Sequence, residues 1–233
     1  MDLNPNDYIS PRALATVPEL HYQALLDGLL ADLAPGPGAP PASRADAFAR
    51  FGLLAQSTLG GLCGPHGPAL IRELSWGQVA PALARPPGEA LWLTRRHGRL
   101  YYPLYLAPPV GFALALLVEK AMAGRPTRHR ALGSLATDER LAPPDCSARQ
   151  LVGLQQSYLA RLAVRCGLPY RPTLAEFRAC GRWLLTRVYP LDVLHALLGL
   201  LPASAPLPAQ LEQAHAAALL ESVRQPWNGD TPC

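Results

Sequence analysis

The stretch Pro172-Thr-Leu-Ala-Glu-Phe-Arg-Ala-Cys-Gly-Arg-Trp-Leu-Leu-Thr-Arg-Val-Tyr-Pro-Leu-Asp-Val-Leu-His-Ala-Leu-Leu-Gly199 reads as helix, short break, helix. Leu174, Phe177, Gly181, Leu184 and Val188 recur at steps of three and four, the spacing of one helical face. Pro172 and Thr173 begin that helix and Tyr189-Pro190 stops it. Pro190 suits the first turn of a second helix, where the N–H it lacks has no intrahelical partner. Leu191, Leu194 and Leu198 then face inward, and Gly199 ends the element. Each such side chain contributes about 1.5–3 kcal/mol on burial, so the pair is expected to anchor a core.

Outward from this segment, 49% hydrophobic residues in 233 allow a core of one larger domain or two small ones. With 26 prolines and 19 glycines the expected helices are short and joined by ordered loops. Lys120 is the only lysine, so almost every cation is an arginine, which grips carboxylates and phosphates in a bidentate fork. The formal charge of +4 is too small for a chain dominated by nucleic-acid electrostatics, yet it permits a local basic face. Five cysteines without a CxxC pair argue against a disulfide framework and a zinc site, and for a reducing, cytoplasmic setting. No signal peptide is expected at the N-terminus. The longest apolar runs fall short of the ~20 residues that span a bilayer, so no membrane association is expected.

Residues 1–41 read as an N-terminal helix, Glu19 to Leu33 with Leu20, Leu25, Leu29 and Leu33 as its stripe, followed by a Pro/Gly-rich linker. Ser43 caps the next helix with Asp46 in its first turn, and that helix carries Phe48, Phe51, Leu54, Ala55 and Leu59. Gly60 to Pro68 is a glycine-rich turn without the Gly-Lys-Ser/Thr ending of a phosphate loop. Ala69 to Leu74 reads as a short helix ending before Trp76. Between residues 89 and 106, two aromatic and aliphatic runs flank Arg95-Arg-His-Gly-Arg99 and predict a β-hairpin with a basic tip. That tip reads either as a solvated turn or as a contact to phosphate or a minor groove. Val110 to Met122 is apolar nearly all round and predicts a buried helix. A second basic segment, Gly124-Arg-Pro-Thr-Arg-His-Arg130, opens a long loop. Ser147 caps a helix to about Cys166 with Leu151, Leu154, Tyr158 and Leu162 inward and Arg149, Arg161 and Arg165 outward; Gly167 ends it. A last Ala/Leu-rich helix from Pro206 to Arg224 precedes a loose tail, 226–233.

Spacing shows no catalytic or metal-ligand constellation: HExxH, GxSxG, GxGxxG after a strand and kinase signatures are absent, and the six histidines are scattered. The order of elements from Ala47 to Leu200 resembles the catalytic domain of the tyrosine recombinases, the phage integrase family. Leu74-Ser-Trp-Gly-Gln-Val79 resembles the family's Leu-x-Trp-x-x-Val pattern. Thr94 to Leu104 resembles its hairpin with a basic turn and Pro-Leu. Leu174-Ala-Glu-Phe-Arg178 and Pro190 to Leu200 resemble its HxLR and Leu-Gly-His segments. The resemblance implies an α-rich α+β fold, mostly helical, with a small antiparallel hairpin or three-stranded sheet, in a recombinase-like domain over 42–225.

Departures from the family pattern decide what function survives. The position near Gly67 where the family's first arginine should follow the glycine turn is not arginine, Ala175 replaces the HxLR histidine and Leu200 that of Leu-Gly-His, and no tyrosine follows Tyr189. Without a phenol to attack phosphorus the covalent step of the family has no nucleophile. The resemblance therefore implies no catalytic residue, cofactor or metal, and a noncatalytic protein that binds double-stranded DNA or assists an active recombinase. Its phosphate contacts are expected from Arg95, Arg96, Arg99, Arg125, Arg128, Arg130, Arg178 and Arg182. Two other readings stay open: a protein-interaction or homo-oligomerisation module without nucleic acid, and an enzyme assembled from scattered His and Cys. Arg178, at the edge of the apolar stripe, needs a carboxylate such as Glu176, a carbonyl array or a phosphate, with a structural ion pair the leading expectation.

Overall fold

The computed structural model describes residues 17–33, 42–64, 66–83, 90–94, 101–105, 107–123 and 138–188, together with Leu194 and Leu198. The linker 34–41, both basic segments, most of the second helix after Tyr189, and the helix and tail expected from Pro206 lie outside them. The described fold is predominantly helical. Its helices are α1 (Glu19–Ala31), α2 (Arg44–Ala55), α3 (Gly67–Glu73), α4 (Trp76–Leu83), α5 (Pro108–Ala123), α6 (Ala148–Arg165) and α7 (Leu174–Val188). Two five-residue strands, Ala90–Thr94 (β1) and Tyr101–Tyr105 (β2), pair antiparallel with Ala90 opposite Tyr105 and Pro103 opposite Trp92. No third strand joins them among the described residues.

At the centre lies α2, where Ala47, Phe48, Ala49 and every residue from Phe51 to Ala55 are buried. It packs against α5 and α6 and also touches α1 and α3. Ser43 caps it as expected, its hydroxyl accepting from the Asp46 amide at 3.1 Å. The helix stops at Ala55, so Leu59 is buried from the following turn rather than from the helix. Where α2 crosses α6, Gln56 donates to Gln155 at 3.1 Å and to the Gly52 carbonyl at 2.8 Å. A Cβ at position 52 would collide with the Gln155 amide, so glycine lets the two helices approach.

Local signals set the ends of α6 and α7. Ser147 and Gln150 form a reciprocal capping box at the start of α6. At its end Gly167 takes φ +71°, and the Gly167 and Leu168 amides reach back to Val164 and Ala163, the Schellman arrangement. Helix α7 has its own capping box: Thr173 N–H donates to Glu176 Oε2 at 2.6 Å and Glu176 N–H to Thr173 Oγ1 at 3.2 Å. Gln156 of α6 pins that first turn by accepting from Leu174 N–H at 2.7 Å and donating to the Pro172 carbonyl at 3.0 Å.

Several expectations change. In α1, Leu20 is 79% exposed and the buried face is Tyr22, Leu25, Leu26 and Leu29, which share one core with α2, α6 and α7. In α5, Phe112 is 53% exposed, so a helix expected to be buried all round leaves one face, which also bears Glu119, exposed. In α7 the buried face includes Cys180 and Leu185, while Leu184 is only half-buried. Helix α3 begins at Gly67, two residues early, and α4 was not anticipated. Trp76, the first residue of α4, is held by the returning chain. Its amide donates to the Glu139 carbonyl at 2.9 Å, and Leu141 N–H donates to the Leu74 carbonyl at 3.0 Å.

Candidate anion-binding site

The glycine-rich turn after α2 is built from close backbone contacts. The Leu62 amide returns to the Ala55 carbonyl at 2.8 Å, and the Ser57 hydroxyl donates to the Leu54 carbonyl at 2.7 Å. Added Cβ atoms would meet the Ala55 backbone at Gly60, the Leu62 carbonyl at Gly67 and the Leu198 carbonyl, 2.6 Å away, at Gly64. This turn presents the Cys63 carbonyl to α7, where Arg182 Nη1 donates to it at 2.8 Å.

Arg178 stands one helical turn before Arg182 on the same side of α7, at the spacing where side chains are neighbours. It is half-buried, and its Nε and Nη1 are both buried without a hydrogen-bond partner. The ion pair expected with Glu176 is not formed among the described ion pairs, and Glu176 serves the capping box instead. Residues two apart on a helix do not face each other, which is why sequence proximity misled here. Burial, and next the charge of Arg182, push the Arg178 guanidinium down to about 10. Buried donors left without acceptors cost roughly 1–3 kcal/mol each. An anion placed against Arg178 and Arg182 would supply both the acceptors and the opposite charge.

The same surroundings disfavour nucleophilic chemistry. The Cys63 thiol is raised by burial to about 11 even though Arg182 and Arg178 pull it the other way, so it is protonated at neutral pH. Burial likewise raises the Cys180 thiol to about 11. Among the described residues no cluster of His, Cys, Asp and Glu is placed to hold a metal ion, and no helix is long and apolar enough to cross a membrane.

A second cation cluster braces α1. The Tyr158 ring lies between the guanidinium groups of Arg50 and Arg161, at 5.7 and 5.6 Å, and its hydroxyl donates to Asp32. Arg165 reaches the same Asp32 oxygen at 2.7 Å, Arg50 donates to the Asp32 carbonyl at 2.7 Å, and Arg161 pairs with Asp46 at 3.2 Å. Each of these arginines hydrogen-bonds within the chain, although Arg50 Nε is also buried without a partner, whereas Arg178 has no hydrogen bond to relieve its two buried nitrogens.

Of the predicted phosphate contacts, the structure brings Arg178 and Arg182 together. Arg95, Arg96, Arg99, Arg125, Arg128 and Arg130 lie outside the described residues. Sequence reasoning missed the Cys63 carbonyl and Tyr22 as parts of this neighbourhood, because no local pattern joins the turn, α1 and α7. No family model, curated protein or solved structure matches the chain.

Proposed function

We propose that the chain is a noncatalytic DNA-binding or recombination-accessory protein with a tyrosine-recombinase-like arrangement, in which Arg178 and Arg182 hold a backbone phosphate. The observation that carries this reading is Arg178: a half-buried guanidinium with two buried, partnerless nitrogens, beside a second arginine and in none of the described ion pairs. A phosphate offers several acceptor oxygens and a full negative charge, the two things Arg178 lacks. The contact of the glycine-rich turn with Arg182, one helical turn after Arg178, supports the family likeness, as does the antiparallel pairing on either side of Arg95, Arg96 and Arg99. Arg95, Arg96, Arg99, Arg125, Arg128 and Arg130 are the further phosphate contacts of this proposal.

The test is fluorescence anisotropy with a labelled duplex across a salt series. Affinity should fall steeply with salt, and Arg178→Gln should weaken binding at every salt concentration and flatten the slope by about one. Absence of binding at low salt, with and without a recombinase, refutes the reading.

The outward face of α5, with Phe112, Ala115 and Ala123 exposed and Glu119 as its charged member, favours a second reading as an oligomerisation module. Sedimentation of nuclease-treated protein separates the two: a stable dimer lost on Phe112→Ser, with no DNA binding, selects the module.

A further inference from the structure

Resting on the reading of Arg178 and Arg182 as an anion site, we propose that Tyr22 of α1 is the positioning residue of that site, setting the spacing between α7 and the glycine-rich turn. Tyr22 is buried and touches both bodies. Its ring stacks on Phe177, the residue before Arg178, with centroids 4.9 Å apart and planes 28° apart. Its hydroxyl accepts from the Thr58 amide at 3.1 Å, at the head of the turn whose Cys63 carbonyl receives Arg182. The same oxygen lies 2.9 Å from where a Cβ on Gly181 would stand, between the two arginines. One phenol therefore meets α7 next to Arg178, meets α7 again next to Arg182, and is tied to the turn that Arg182 reads.

Core filling alone does not call for this residue. A phenylalanine would keep the stack and the buried volume, whereas only a hydroxyl ties the turn. Other polar ties of α1 meet neither the turn nor the two arginines: His21 meets the Tyr170 hydroxyl at 3.2 Å, Glu19 pairs with Arg187 at 2.7 Å, and Asp32 holds Arg165. The Glu19–Arg187 pair is exposed on both partners, and such a pair fixes little by itself. Tyr22 is the tie of α1 that reaches the turn, so the docking of α1 governs how the two arginines are presented.

The experiment reads the guanidinium groups directly, in free protein, by the ¹⁵N–¹H signals of Arg178 and Arg182 Nε, assigned with Arg178→Lys and Arg182→Lys. Tyr22→Phe should shift both signals and speed their exchange with water, while Tyr170→Phe, which removes the hydroxyl that meets His21 and touches neither the turn nor the arginines, should leave them in place. Duplex affinity should fall roughly five- to tenfold in Tyr22→Phe, the size of one uncharged hydrogen bond, and stay unchanged in Tyr170→Phe. If Tyr22→Phe fails to fold, Gly181→Ala displaces the same hydroxyl and should shift the same signals. Unmoved Arg178 and Arg182 signals, or equal movement in the Tyr170 variant, overturn the proposal. Shifted signals in a protein that binds no DNA uphold the positioning role and refute the DNA reading.

Discussion

Replacing Gly181 by alanine sets two known effects against each other. Glycine inside a helix costs about 1 kcal/mol relative to alanine, so on propensity alone Gly181→Ala stabilises α7. The added Cβ, however, would stand 2.9 Å from the Tyr22 hydroxyl oxygen and 3.6 Å from the ring carbon that bears it. The first distance forces a shift in a buried side chain, and overpacking of this kind costs roughly 1–3 kcal/mol. The single variant should therefore be neutral to about 2 kcal/mol less stable than the natural protein. In a Tyr22→Phe background the oxygen is gone and the remaining 3.6 Å contact is ordinary, so the same Gly181→Ala change should stabilise by about 1 kcal/mol. Tyr22→Phe alone should cost about 1–3 kcal/mol, because the Thr58 amide loses its acceptor. The coupling between the two positions equals the overpacking penalty, about 1–3 kcal/mol, and is measured by urea denaturation of all four proteins. A coupling below about 0.5 kcal/mol would mean that Tyr22 does not restrict position 181, and the account of the α1–α7 junction would fail.

Arg178→Met should raise stability by about 1–2 kcal/mol, since it removes buried donors that have no acceptor, while weakening duplex binding and flattening its salt slope by about one; a loss of stability on denaturant titration would show that Arg178 has a structural partner. Burial alone would push the Asp32 carboxyl up, but hydrogen bonds from Arg165 and Tyr158, with the charges of Arg165 and Arg50, outweigh it and hold Asp32 below the ordinary carboxylate value. Its contribution is complete above the unfolded-state value and is lost as pH falls through the folded-state value. The urea midpoint should therefore drop on acidification, and the drop should shrink in Asp32→Asn. Gly67→Ala drives a Cβ into the Leu62 carbonyl, which is backbone and cannot swing aside. A cost of about 2 kcal/mol or more should lower Tm by roughly 5 °C in a chain of this size, and an unchanged Tm by calorimetry would refute the tight-turn geometry.

What was legible in the sequence were the features whose causes are local. Ser43, Ser147, Thr173 and Gly167 are start and stop signals acting within four residues, and α2, α6 and α7 begin or end where those signals stand. Arg178 and Arg182 were readable as neighbours from their spacing. Features decided by distant chain were not. Leu20 and Tyr22 are both apolar enough to face inward, but packing against Phe177 selects Tyr22. The start of α4 depends on a bridge between Ser75 and Arg140, which no window of sequence contains. In α5 nearly every residue is apolar, so composition could not say that the face bearing Phe112 would be left uncovered. Thr173 and Glu176 carry the capping-box pattern in plain view, and that local role occupies the Glu176 carboxylate.

The burial of most of α2 has a consequence for biosynthesis. Phe48, Phe51, Leu53 and Leu54 leave the ribosome long before the helices that cover them, because α5 and α6 lie well downstream. At about 5–20 residues per second, the hundred or so residues to the end of α6 take roughly 5–20 s. Throughout that interval the nascent chain carries an unsheltered apolar helix. Yield in the cell should therefore respond to translation speed and to chaperone supply more than the stability of the finished protein would suggest.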